Sequence, residues 1–280
     1  MPFDLSVVGK DFGPRALEYE WQRTALYALA CGSGTEELDL LLESRGPKVL
    51  PTFAVVVAFE PMMEVLTALG GNMLTLLHAS QKVVLHRPLP AEARVSTRAR
   101  ARAVYDKGRS AVAIFDTVTT GADGAPICET EWQIFYRGEG GFGGERGIEP
   151  APHDPAPGRV PDAVLEMPTA PTQALLYRLA SSDFNPIHAD PVLAKRAAFA
   201  KPLLHGLCTF GHSARAAITT LCQRDPDRLL SIEGRFTKPV FPGETIITEL
   251  FRGGDGEAFF VTRVKERPEP VISGGRVTFR

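Results

Sequence analysis

The sequence predicts an α+β protein built from two copies of one unit, and three observations carry that prediction. The 280 residues exceed one typical domain length, so a boundary is expected near the middle. Six of the residues from Gly138 to Gly147 are glycine and five from Pro150 to Pro161 are proline, a stretch that can bury little and reads as a linker. It divides the chain into 1–137, a linker 138–161 and 162–280. The flanking segments also repeat. Leu26-Tyr27-Ala28-Leu29-Ala30 matches Leu176-Tyr177-Arg178-Leu179-Ala180 at an offset of 150. Arg87-Pro88-Leu89-Pro90-Ala91-Glu92 resembles Lys238-Pro239-Val240-Phe241-Pro242-Gly243-Glu244 at 151, becoming 152 after one insertion.

Within each copy, helical periodicity comes before strand alternation. Leu17, Trp21, Ala25 and Leu29 recur at helical spacing, as do Leu207, Phe210, Ala214, Ala217 and Leu221. Val95, Thr97, Ala99, Ala101 and Ala103 alternate with polar residues, as do Cys128, Thr130, Trp132, Ile134 and Tyr136, the pattern of half-buried strands. Turns at Ala122-Asp123-Gly124 and Gly253-Gly254-Asp255-Gly256 are too short for crossover helices, so the sheets are antiparallel. Arg94, Arg98, Arg100 and Arg102 form the exposed face of one such strand.

Composition removes several classes of function. With 44% apolar and 23% charged residues the chain is globular, and a net charge of −2 gives no whole-molecule attraction to nucleic acid or an anionic membrane. No apolar run approaches the roughly 20 residues that span a bilayer. Met1-Pro2-Phe3-Asp4 lacks the basic and apolar regions of a signal peptide and the C-terminal Val277-Thr278-Phe279-Arg280 is no targeting address, so a cytoplasmic location is expected. Cys31, Cys128, Cys208 and Cys222 form no CxxC pair and no HExxH is present. Buried thiols and no metal are expected.

The densest polar cluster runs from Ser181 to Pro191, with Asp183, Asn185 and His188 spaced around Pro186, and is followed by His205-Gly206-Leu207. Pro186 and an Asp190-Pro191 helix start stiffen this loop. A carboxylate and an imidazole aimed at one water can orient and deprotonate it, while the same residues can equally make Asx turns and packing contacts. The repeat helps choose: Ser33, Thr35 and Leu38 stand at the equivalent first-half positions, so the fold itself does not require the trio. Gly206 opens the strongest amphipathic helix, whose unpaired amides can stabilise a developing enolate. A glycine chosen for close packing fits that position as well.

Tyr177 through His188, with its Asp-x-Asn-Pro-x-His core, resembles the signature of the MaoC-like, hydratase 2 type of (R)-specific enoyl-CoA hydratases. Pro51-Thr52-Phe53, Arg87-Pro88-Leu89-Pro90, Gly140-Gly141-Phe142-Gly143-Gly144 and Lys238-Pro239-Val240-Phe241-Pro242-Gly243 are similar to further landmarks of its two-domain members. The resemblance implies a double hotdog: two antiparallel sheets, each curved around a helix. It implies that Asp183 and His188 activate water, that Asn185 positions the site and that the Gly206 amide polarises the thioester carbonyl, with coenzyme A entering only as part of an acyl-CoA substrate and no separate cofactor. Ser182 departs from the glycine usual before the catalytic Asp.

Further expectations follow. The first-half helix, read as Pro61 to Leu69 and stopped by Gly70-Gly71, should be short or missing, leaving room for an acyl chain near Met62, Met63 and Met73. His205, Leu207, Arg235 and Lys238 are candidate substrate contacts, the last two as cationic partners for the CoA phosphates. The expected activity is reversible hydration of trans-2-enoyl-CoA to (3R)-3-hydroxyacyl-CoA by a homodimer. A hotdog thioesterase and a non-catalytic acyl-CoA-binding partner subunit are the alternatives.

Overall fold

The computed structural model describes residues 3–73, 76–147, 154–156 and 158–280. The expectations on Met1 and Pro2, and on linker positions 148–153 and 157, lie outside these described residues. The first copy runs β1 (Asp11–Tyr19), α1 (Trp21–Ala30), α2 (Ala54–Leu69), β2 (Leu76–Leu85), β3 (Ala93–Asp106), β4 (Ser110–Thr120) and β5 (Pro126–Arg137). The second runs β6 (Ala163–Pro168), α3 (Gln173–Ser181), α4 (Pro191–Arg196), α5 (Gly206–Leu221), β7 (Leu229–Phe236), β8 (Thr245–Arg252), β9 (Glu257–Val264) and β10 (Arg267–Phe279). Leu17 belongs to β1, opposite Val95, and not to the helix its spacing suggested. A strand therefore opens each copy.

The strands form one antiparallel sheet in the order β1-β3-β4-β5-β2-β7-β10-β9-β8-β6. Two separate sheets were expected. They are fused because the open edge of β2 pairs with the open edge of β7, from Ser80 opposite Arg235 to Val84 opposite Ser231, which satisfies both sets of backbone groups. An ion pair from Lys82 to Glu233 crosses the seam. The outer strands are β1, whose register shifts between Phe12 and Arg15 around Pro14, and the six-residue β6.

The first-half helix is neither short nor missing. Both α2 and α5 have 16 residues, and each boundary of one lies 152 positions from that of the other. Reading Pro61 as a helix start was the error, since Pro61 lies inside α2. Its missing N–H leaves the Val57 carbonyl without its usual helical donor, and the Thr97 hydroxyl of β3 donates to that carbonyl at 3.3 Å. Tertiary structure thus replaces one lost helical bond. Pro51–Leu69 is also long and apolar enough to cross a bilayer by composition, contrary to expectation, yet it is a core helix. Val55, Val57, Met62, Val65, Leu66 and Leu69 are buried, and α2 packs on β3 and β4 as α5 packs on β7 and β8.

Other elements match their sequence signals. The four thiols are free and buried. Arg98 pairs with Asp11, Arg100 with Asp116, and Arg102 with Asp116 and Glu131, as an exposed sheet face would arrange them. Asp190 caps α4 by accepting from the Val192 and Leu193 amides.

Candidate active site

The site is built where α3 stops. Ser181 Oγ donates to the Tyr177 carbonyl and accepts from the Asp183 amide. Ser182 closes the helix in the left-handed region, at φ 63° and ψ 14°, which is where the glycine usual in the resembled signature would sit without strain. Asp183 Oδ1 then accepts from the Asn185 amide at 3.1 Å, and Asn185 Oδ1 from the Ile187 amide at 3.2 Å. Both Asx turns therefore exist. They leave Asp183 Oδ2 without a hydrogen bond among the described residues, while Asn185 is exposed and its oxygen is occupied by the turn.

His188 Nδ1 donates to the Leu203 carbonyl at 3.0 Å, so the neutral ring keeps its lone pair on Nε2. His205 Nε2 donates to the backbone carbonyl of Asp183 at 3.2 Å. The two imidazoles stack with centroids 3.7 Å apart, and Tyr177 lies over His205 at 4.8 Å. Burial pushes the His188 pKa below its ordinary value, against the opposing pull of the Asp183 charge and the Leu203 carbonyl. Burial, reinforced by His188, lowers that of His205 to about 2. Burial thus favours the neutral form of both rings.

One side-chain donor atom from each of Asp183, His188 and His205 lies within 4.8 Å of the others. At that separation one water can reach both a carboxylate oxygen and an imidazole nitrogen with ordinary hydrogen bonds of about 2.8 Å. Gly206 follows His205 at the exposed N-terminus of α5, where helical geometry leaves amides without intrahelical acceptors. A Cβ at Gly206 would lie 3.3 Å from the Phe236 ring. Glycine therefore keeps that helix end open beside the cluster.

The remaining candidates lie apart. Leu207 is a core residue, 7% exposed. Arg235 precedes Phe236 on β7, and alternation puts it on the sheet face opposite the one that meets Gly206. Lys238 is exposed beyond the end of β7. The structure brings Asp183, His188, His205 and Gly206 together and does not bring Arg235 to them. Sequence reasoning missed Arg23, whose guanidinium reaches Ser182 Oγ from 159 residues away. No local motif marks it.

A groove beside the loop is lined by Leu17, Arg23, Val56, Glu60, Pro61 and Ser182 and has room for about one water, ≈10 Å³. The truncated helix from which an open acyl cavity was expected is not found, since α2 runs its full 16 residues. Met62 is buried in the core, and Met73 is 52% exposed.

Fold and site together define a two-hotdog protein of the MaoC-like class. The structure aligns over its whole length with a MaoC-like dehydratase from Phytophthora capsici, at 29% identity, 98% of that chain and a TM-score of 0.89. It also aligns with a Mycobacterium tuberculosis protein described as a double hotdog fold, at 16% identity, 99% and 98% coverage and a TM-score of 0.62. Residues 17–138 match the MFE-2 hydratase 2 N-terminal domain and residues 153–274 the MaoC like domain. The chain is 42% identical to 3-hydroxyacyl-thioester dehydratase Y of Mycobacterium tuberculosis, over 94% of this chain and 92% of that protein. It is 36% identical to a probable enoyl-CoA hydratase 2 of Dictyostelium discoideum, over 93% and 92%. The chain belongs to the hydratase 2 family of MaoC-like proteins.

Proposed function

We propose that the protein reversibly hydrates trans-2-enoyl-CoA to (3R)-3-hydroxyacyl-CoA. The observation that carries the reading is the Asp183 carboxylate and neutral His188 imidazole within 4.8 Å beside the open N-terminus of α5. Family membership, with relatives named for this reaction and its reverse, points the same way. Asp183 and His188 hold the water, and the proton it loses as its oxygen bonds to C3 passes to this pair. The returning proton goes to C2. The Gly206 amide donates to the thioester oxygen as enolate charge develops there. Asn185 shapes the turn and transfers no proton.

In this reading the second copy carries the chemistry, while the first supplies α2 and Arg23 beside it. Coenzyme A is part of the substrate, and the proton transfers of this reading call on no resident metal. Prolonged chelation leaves activity unchanged; restoration of lost activity by zinc overturns this point. The working unit is a homodimer, checked by the molar mass from light scattering. Loss of the conjugated thioester absorbance of crotonyl-CoA tests the activity, with (3R)-3-hydroxybutyryl-CoA as the expected product. Release of free thiol without that product would instead make the protein a thioesterase.

A further inference from the structure

We infer that Arg23 is a positioning residue that holds the catalytic loop by fixing Ser182 in its left-handed conformation. The inference deepens the reading above and rests on it for the role of Asp183. Arg23 Nε donates to the Ala180 carbonyl at 3.1 Å and Nη2 to Ser182 Oγ at 3.0 Å. The first bond occupies a carbonyl at the C-terminal end of α3 that has no helical donor, and a cation there also suits the helix dipole. The second bond holds the side chain of the residue whose backbone is at φ 63°.

These two contacts act on one problem. An L-residue in the left-handed region works against a roughly tenfold intrinsic preference, whereas glycine adopts it freely. With glycine before Asp183 the left-handed backbone would need no side-chain clamp of its own, as at Gly32 of the first copy, where Gln173 holds only the helix-end carbonyls. With serine it does, and the clamp comes from α1, which packs on α3 across the boundary between the copies. Ser182 is joined directly to Asp183, whose carbonyl is bonded to His205, so a flip at Ser182 would move the carboxylate relative to both imidazoles. Ser182 and Arg23 thus work as a pair in which a glycine alone would serve.

The test compares wild type, Arg23→Ala, Ser182→Gly and the double variant. Arg23→Ala lowers kcat about tenfold, the population lost when serine leaves the left-handed well, with a smaller change in KM. Ser182→Gly alone stays near wild type. The double variant recovers most of the lost kcat, a rescue that a merely structural arginine would not give. A double variant as slow as Arg23→Ala overturns the inference. If Arg23→Ala fails to fold, Arg23→Lys is read the same way, because its ammonium cannot span both acceptors as the guanidinium fork does. Amide hydrogen exchange over Asp183 to His188 gives a readout independent of turnover: Arg23→Ala loses protection there and the double variant regains it. Protection unchanged in Arg23→Ala overturns the proposal. Full activity in Asp183→Asn would defeat the hydratase site while leaving the exchange result to decide on Arg23.

Discussion

After α1 the chain runs Cys31-Gly32-Ser33, and after α3 it runs Ser182-Asp183-Phe184. The two loops leave equivalent helices, and each is held by an arginine from the other copy. Arg215 of α5 donates to the Cys31 carbonyl at 2.9 Å and forms a largely buried ion pair with Glu37. Arg23 of α1 holds Ala180 and Ser182. The difference lies in what remains once docking is satisfied. The first loop's charged group is consumed by Arg215. In the second, Asp183 makes its turn with one oxygen and keeps the other, next to an imidazole. The two loops are thus docked from different helices, α5 for the first and α1 for the second, and of the two it is the second that keeps a carboxylate oxygen beside an imidazole.

The comparison is broken most severely by removing those groups. Asp183→Asn and His188→Ala should each lower turnover by about 10²–10⁴-fold, since Asn can still form the Asx turn without accepting a proton. Ser33→Ala and Thr35→Ala at the equivalent first-half positions should change it less than about twofold. Steady-state kinetics on folded variants checks this, and comparable losses in both loops would abolish the asymmetry.

Next comes the docking arginine of the silent loop. Arg215→Met strands Glu37 and the Cys31 carbonyl, costing about 3 kcal/mol of stability, while activity measured well below the melting temperature is retained. Denaturant melts separate the two effects. A variant of unchanged stability but low activity would show that the first loop also serves the site.

Acid acts on both copies. Burial lowers the pKa of His78 and of His212 to about 4 each and that of His205 to about 2, whereas the unfolded chain binds these protons near the ordinary value of 6.5. The folded state is therefore favoured at pH 7. This stability is lost as pH falls from about 6.5 towards 4, with a slope of about one proton per histidine. Because the His188 pKa is also lowered, the acid limb of kcat/KM should lie below 6.5. Melting curves and pH–rate profiles measure the two separately.

The smallest effect concerns substrate length. If α2 were missing, each added methylene would gain about fourfold in affinity. With α2 filling that space, kcat/KM should show no such rise from crotonyl-CoA to C10 substrates. A fourfold gain per methylene would show that α2 moves aside.

Much of this was legible in the sequence. The repeat, the α5 periodicity and the alternating strands foretold the fold, and side-chain atoms of Asp183 and His188 do meet, beside His205. What misled was proline at 61: local rules make it a helix start, whereas α2 continues through it with the freed Val57 carbonyl accepting from the Thr97 hydroxyl of β3. Leu17 was misread because its helical spacing continues into α1, while pairing with Val95 draws it into a strand. Arg235 was placed near the site by its closeness to the Pro239 landmark, yet alternation along β7 turns it to the other face. Arg23 could not be found, since nothing local ties it to Ser182.

The fused sheet also decides how copies of the chain behave towards one another at high concentration. Joining β2 to β7 leaves β1 and β6 as the outer strands among the described residues, and neither is a good template for further strand addition. In β1, Pro14 cannot donate and the register breaks beside it, while Asp11, Arg15 and Glu18 add charge. The edge β6 is six residues long and ends at Pro168. Such irregular, charged edges oppose end-to-end sheet growth, so the fusion buries the regular edges and leaves outside those that resist fibre formation.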